Sequence, residues 1–312
     1  MNRWLALLRF ALRRLLVAIP TLLAVVTLAF IMMRLAPGSP FESERKLSPQ
    51  ILKSVEARYG MDRPLIEQYV SYLGDVVRGE LGPSLRYRGK DVSDFIREGF
   101  PMSLRIGLFA LLVAVVLGIA IGTAAAIKQN SGVDYAATAI SLLGICIPAF
   151  AVAPLLVLWF GSMLGWLPIA GTAEGLKSYI LPVAVLALPH IAVITRLVRA
   201  GMVEVLRSEF VRTARSRGFS ESTVVIRHAM RPALLPLIGY LGPGCAGLIA
   251  GSLVVEKIFN LPGLGRTFVL GALQRDYTVV MGLVILYAAL ILLLNLVAEL
   301  LQAWFDPRVR LS

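Results

Sequence analysis

Five stretches of the chain, 15–33, 106–127, 178–195, 232–255 and 277–298, carry no charged side chain, and a longer one runs from 135 to 173. A helix of nineteen residues rises about 28 Å, close to the hydrocarbon thickness of a bilayer. The pattern therefore predicts an all-α polytopic membrane protein. The 135–173 stretch is too long for one straight crossing, but Pro148, Pro154 and the run GSMLGWLPIAGTAEG interrupt it before a second could form. One crossing there makes six spans with both chain ends on the same side.

Charge sets the sidedness. Residues 196–231 contain Arg196, Arg199, Arg207, Arg212, Arg215, Arg217, Arg227 and Arg231, and short basic loops stay in the cytoplasm. With six spans the inside holds 15 basic and 6 acidic residues and the outside 16 and 13. The expected organisation is a cytoplasmic N-terminus (1–14), span one (15–33), an extracytoplasmic subdomain (34–105), a five-span core (106–298) containing the cytoplasmic loop 196–231, and a cytoplasmic C-terminus (299–312). Arg9, Arg13 and Arg14 resemble the basic start of a secretory signal. The apolar run is long, however, and no small-residue cleavage site follows, so span one is expected to be an uncleaved anchor.

Two loops predict further helices. In LSPQILKSVEARYG, Ser48 caps, Pro49 takes the first helical position and Gly60 ends the helix. From Pro64 to Gly79, Leu65, Tyr69, Tyr72, Leu73 and Val76 share one face, which suits packing on the spans, lying on the bilayer or receiving a ligand. In the basic loop, Val203, Leu206, Phe210 and Ala214 form an apolar stripe. Gly218 interrupts it, Ser220 caps a second short helix with Glu221 in its first turn, and Pro232 closes that piece. Such an elbow below the membrane suits a groove on a cytoplasmic protein; a plain topology-setting loop is the alternative.

Composition confirms the class, with 57% hydrophobic and 16% charged residues. The net charge of +12 is explained by topology signals and an acidic partner, not by nucleic acid. Cys146 and Cys245 stand alone in apolar runs and read as small buried hydrophobes. No phosphate-cradling G-x-x-x-x-G-K-[ST], H-E-x-x-H or G-x-S-x-G motif occurs, so neither a metal site nor hydrolytic chemistry is expected. His190 with Ser141 or Ser252 lacks the turn context of a protease nucleophile, and His190 fits an interhelical hydrogen bond better. An ion-coupled carrier would place carboxylates or lysines in its spans, and the six uncharged runs hold none.

The order of short motifs is more specific. VRTARSRG followed by RHAMRPALLP resembles the glutamate-alanine-alanine loop of bacterial ABC importer membrane subunits, in the version of the peptide-transporting branch. Aligned on Gly218, only Ala214 and Gly218 match the general pattern; Arg212 and Thr213 replace its first two residues. MMRLAPGSPF, YGMDRPLIEQY, RGELGPS, IPAFAVAPLLV, LGWLPIAG, NLPGLGRTF, RDYTVV and FDPRVR resemble the same dipeptide, oligopeptide and nickel permeases in the same order. APGSPF, KQN and ALQRDY look most like the B-type subunit of oligopeptide permeases.

The resemblance implies a type I ABC importer permease in a bacterial inner membrane. Its implied partners are a second (C-type) permease subunit, two ATPase subunits that bind ATP and Mg, and an extracytoplasmic peptide-binding protein. This chain would hold no cofactor and would pass peptides; dipeptides and nickel are the alternative cargoes. Arg212, Thr213, Ala214, Arg215, Gly218, Phe219 and Ser220 would form the coupling contact with an ATPase subunit, and the outer-loop helices would help dock the binding protein.

Weaker candidates are Asn295, which could meet a peptide backbone but fits an interhelical bond better, and Pro262, Gly263 and Gly265. On spacing alone the stretch Leu261–Arg266 is a turn between spans five and six; the resemblance suggests an outer gate. Gly118 with Gly122 and Gly247 with Gly251 have the small-xxx-small spacing of close helix packing.

Overall fold

The computed structural model describes residues 3–35 and 63–305. The helix expected over Ser48–Gly60 lies outside the described residues. The elements are α1 (Arg3–Leu35), α2 (Leu65–Arg78), α3 (Val92–Ile127), α4 (Gly132–Cys146), α5 (Ala149–Leu156, extended by a π-helical stretch Val157–Met163), α6 (Lys177–Leu206), α7 (Glu209–Ser216), α8 (Glu221–Thr223, extended by a π-helical stretch Val224–Ala229), α9 (Met230–Ala233), α10 (Leu235–Ile258), α11 (Leu264–Leu273) and α12 (Tyr277–Phe305). Among the described residues the only β-type pairing is an isolated bridge between Pro83 and Asp91.

Among the described residues five helices, α1, α3, α6, α10 and α12, are each long and apolar enough to span a bilayer. The pair α4 and α5 is bent by 103°, and counting it as one span gives six. Pro148 is the break, standing as the residue before α5 where a helix interior would not accept it. Pro154, by contrast, sits inside α5.

The bundle is built around α6, the most deeply buried span, whereas α1 is peripheral. Backbone approach explains the tight pairing of α6 with α3. A Cβ at Gly118 would stand 2.6 Å from Ile194 Cγ2, and one at Gly122 2.6 Å from the Thr195 carbonyl oxygen. Gly118 and Gly122 thus form the close-packing seam that their spacing predicts. Gly247 instead faces His190, whose ring Cε1 would stand 3.2 Å from an added Cβ. His190 Nδ1 lies 2.7 Å from the Tyr240 hydroxyl, joining α6 to α10.

Gly99 meets the start of α11 and Gly122 meets α6, so opposite ends of α3 mark opposite faces of the bundle. The twenty-three residue steps from Gly99 to Gly122 rise about 35 Å. At the Gly99 end, Ser84 donates to the buried Asp276 carboxylate, the Leu85 N–H donates to Asp276 Oδ1 at 3.2 Å, and Arg86 Nε donates to the Gln274 carbonyl at 2.7 Å. These bonds dock the segment before α3 onto the α11–α12 turn. α2 forms as its sequence predicts and ends at Gly79 with φ +81°. Tyr69 bonds Thr27 of α1 at 2.6 Å, and Tyr69 and Tyr72 pack on Phe30.

Neither cysteine is fully buried. Cys146 is exposed and Cys245 intermediate, because both lie on spans whose outer surface is apolar throughout.

Candidate functional site

At the Gly122 end the chain leaves the bundle after Leu206, turns, and returns through Ala233. Two short helical arms meet at Gly218, whose φ of +80° is a left-handed turn that suits glycine. The Gly218 N–H donates to the Arg215 carbonyl at 3.0 Å, closing the first arm. Ser220 caps the second, its hydroxyl accepting from the Thr223 N–H at 3.4 Å.

The first arm is not a continuation of α6. The helix breaks at Arg207 and Ser208, so the single stripe of Val203, Leu206, Phe210 and Ala214 does not exist. The break rotates α7, and Val211 joins Ala214 inside while Phe210 is half exposed. Val211 and Ala214 are buried with Val224, Val225 and Ala229 of the second arm, in the same core as Val198 and Met202 of α6. Pro232 does not close the second arm either. It lies within α9, and the interruption comes at Leu234 before α10.

One side chain braces the elbow. Arg215 forks onto Glu221, with Nη2 2.6 Å from Oε1 and Nε 3.1 Å from Oε2, and its Nη1 donates to the Leu206 carbonyl at 3.4 Å. Both arms and the end of α6 are thus joined by one guanidinium. Its planar fork matches the carboxylate. The pairing pulls the Glu221 carboxyl below its ordinary range and raises Arg215, chiefly through the shared hydrogen bonds. Arg212 pairs with Glu209 at 2.7 Å within its own arm.

The surface left facing outward is mixed. Phe210, Phe219 and Ile226 are 50%, 46% and 66% exposed, and Arg212, Arg217, Arg227 and Arg231 are exposed around them. Phe219 rests on His228 with ring centres 5.3 Å apart. Of the residues singled out in the sequence, Arg212, Thr213, Arg215, Gly218, Phe219 and Ser220 are all on this surface, and Ala214 is beneath it. Ile226 and the Glu221 brace had no motif to reveal them; a single Ile in a polar stretch is ambiguous until the arm's orientation is known.

Behind the elbow, Arg199 of α6 makes a two-pronged ion pair with the buried Asp134 of α4, Nη2 to Oδ2 at 2.7 Å. The Asn130 N–H donates to the same carboxylate at 2.9 Å, and Arg207 reaches Gln129 at 3.0 Å. The α3–α4 turn is therefore tied to α6 just above the elbow.

The other candidates lie at the opposite face or in the bundle. Leu261–Gly263 is a turn, but Leu264 to Arg266 already belongs to α11, so the stretch is half helix. Glu256, fully buried in α10, accepts from the Gly265 N–H at 2.7 Å and the Arg266 N–H at 3.4 Å, and Ser103 of α3 accepts from the Leu264 N–H at 2.9 Å. A carboxylate at a helix N-terminus satisfies donors that have no partner inside the helix. A Cβ at Gly263 would overlap the Glu256 carboxyl group, which explains the glycine. Pro262 is exposed. Glu256 also corrects the expectation of charge-free spans, since the uncharged run ends at 255 while the helix continues to Ile258. Asn295 makes no interhelical hydrogen bond through its oxygen. Oδ1 is buried against Gly242 without a donor.

Among the described residues no His, Cys, Asp and Glu group is placed to hold a metal ion.

Residues 114–311 match the family described as binding-protein-dependent transport system inner membrane component, and residues 7–104 match the N-terminal family of such membrane components. The chain is 48% identical over 305 residues to the oligopeptide transport system permease protein OppB of Haemophilus influenzae, covering 97% of this chain and 100% of that one. It is 47% identical to OppB of Escherichia coli K12 with the same coverage. The dipeptide transport system permease protein DppB of Bacillus subtilis is 39% identical over 303 residues, covering 97% and 98%. In fold, the chain is similar to an amino acid ABC transporter solved with histidines, with a TM-score of 0.50 at 19% identity, covering 69% of this chain and 94% of that one.

Proposed function

Because the chain belongs to the family of inner membrane components of binding-protein-dependent transport systems, we propose that it is the permease subunit of an ATP-driven importer for oligopeptides. It forms half of the translocation pathway beside a second, C-type permease subunit. Two ATPase subunits, carrying ATP and Mg, supply the energy from the cytoplasm, and an extracytoplasmic binding protein delivers the peptide. This chain itself carries out no chemistry. Full-length similarity to oligopeptide permeases supports the cargo over dipeptides or nickel.

The observation that carries the mechanism is the braced elbow. Phe210, Phe219 and Ile226 amid exposed arginines offer an apolar centre with a basic rim, the composition of a docking surface. We place it in the cytoplasm, seated on an ATPase subunit, with both chain ends on that side. Arg215 ties both arms to the end of α6, so a push on the elbow moves α6 and does not merely fold the loop. The Gly118–Gly122 seam and the Asp134–Arg199 pair then carry α3 and α4 with α6. At the far end, α3 holds α11 through Ser103, where Pro262, Gly263 and Gly265 form an outer gate. ATP and loaded binding protein favour one arrangement through their differential affinity for the two states.

The test is reconstitution of the assembled importer in proteoliposomes with labelled oligopeptides, dipeptides and nickel. Uptake of oligopeptides should depend on ATP and survive an ionophore. Arg212→Glu together with Phe219→Ala should uncouple peptide-stimulated ATP hydrolysis from uptake; unchanged coupling removes the elbow assignment. A cysteine at Ser216 should react with an impermeant maleimide only from the cytoplasmic side.

A further inference from the structure

A cavity of about 640 Å³ lies between α1 and the paired helices α10 and α12, away from the elbow and from α11. Its α10 wall is Gly239 and Pro243, which have little side chain to fill the space. Ala18 and Leu22 of α1 and Leu293 of α12 make the deeper walls apolar. At the mouth, Arg14 pairs with Glu299 at 2.9 Å. Asn295, one turn deeper on α12, also lines the cavity. Its Oδ1 is turned onto Gly242, so the polar group it offers is the amide NH2.

The polar end of this cavity therefore presents donors. The Glu299 charge is met by Arg14, whose guanidinium has N–H groups beyond the one engaged there. Arg9 and Arg13 are exposed on the same stretch of α1. Arg14 is the last charged residue before the uncharged run 15–33, which puts it at the level of the bilayer interface. Leu15, Val17 and Ile19 also line the cavity and are 55%, 61% and 60% exposed, so the hollow opens on the lipid-facing side of α1.

We propose that this cavity is a binding site for a phospholipid. Its phosphate sits at Arg14, its glycerol-ester carbonyls accept from the Asn295 amide, and one acyl chain runs inward past Ala18, Leu22 and Leu293. A phospholipid supplies acceptors at the two depths where the protein supplies donors, followed by a flexible apolar chain. α1 packs directly on α12, and the hollow opens beside that contact. The bound lipid acts as a filler that seats the peripheral α1 on the bundle.

The experiment uses the assembled importer purified in detergent, washed stepwise, with co-purifying phospholipid quantified by mass spectrometry. Gly239→Leu fills the cavity from the α10 wall, where an added Cβ meets only the flexible tip of Gln302 at 3.4 Å. Wild type should retain one phospholipid that Gly239→Leu does not, and Arg14→Gln should weaken retention about fivefold. As a second measurement, Leu22→Trp in nanodiscs of phosphatidylglycerol with brominated acyl chains should be quenched, and Gly239→Leu should relieve the quenching. Retention unchanged in both variants overturns the proposal. So do an unquenched Leu22→Trp, and displacement by peptide or cross-linking of Leu293→Cys to the second permease subunit, which would make the occupant a protein or the cargo. Should Gly239→Leu fail to assemble, Arg14→Gln and the quenching of Leu22→Trp decide the question.

Discussion

Replacing Gly218 separates backbone geometry from contact. Its φ of +80° is a conformation that L side chains rarely adopt, yet no heavy atom lies within 4 Å of where its Cβ would stand. The cost of a substitution in the free subunit is therefore conformational alone: about 1–2 kcal/mol for alanine, and more for a β-branched valine. That lowers the population of the braced elbow by about 5- to 30-fold against opened forms. Asparagine tolerates the left-handed region and should cost little. Peptide-stimulated ATPase of the assembled importer should fall in the order Gly218→Asn, Gly218→Ala, Gly218→Val, with subunit assembly monitored in parallel by co-purification. The reasoning is refuted if valine behaves as wild type. It is equally refuted if asparagine is as damaging as valine, because lack of room against the docked partner, and not φ, would then set the requirement.

Glu221 is held below its ordinary value of 4.5 by the Arg215 fork. Its contribution is thus complete above that value and disappears as pH falls through the depressed one; because the pair is exposed, the effect is small and salt-sensitive. Hydrogen-exchange protection over residues 209–223, taken relative to the intrinsic rate at each pH, should be level from neutral pH down to mild acid, then fall, and Glu221→Gln should show the lower protection throughout. Asp134→Ala leaves Arg199 without its partner and should lower the thermal unfolding midpoint of the subunit; Asp134→Leu with Arg199→Leu should recover most of the loss. Glu256→Ala removes the acceptor for the Gly265 and Arg266 N–H groups and should cost about 1–3 kcal/mol, read as faster amide exchange over residues 264–270.

Much of the architecture was legible because the bilayer imposes a length and a polarity that each segment must meet by itself. The spans, the proline break at 148, the α2 stripe and the Gly218 turn all follow from local chemistry. Where that reading failed, orientation was at stake. Phe210 fits an apolar stripe only if α6 runs on unbroken; a two-residue turn at Arg207 and Ser208 sends it outward and brings Val211 in. Glu256 escaped notice because a run of uncharged residues ends where a charge begins, whereas the helix ends two residues later. The Leu261–Arg266 segment looks like a turn from its glycines, but Gly263 makes room for the Glu256 carboxylate and Gly265 for the Leu253 backbone.

The amino-acid order alone determined that this protein crosses a membrane, roughly where its spans lie, and which short motifs tie it to peptide permeases. Which residues meet across the bundle was decided only in three dimensions: Arg215 with Glu221, Arg199 with Asp134, Glu256 with the α11 N-terminus, and the hollow beside Gly239. Helix formation draws on neighbours three and four residues away and so leaves a trace in the sequence. Pairing between helices depends on rotation and depth, which short-range patterns do not encode.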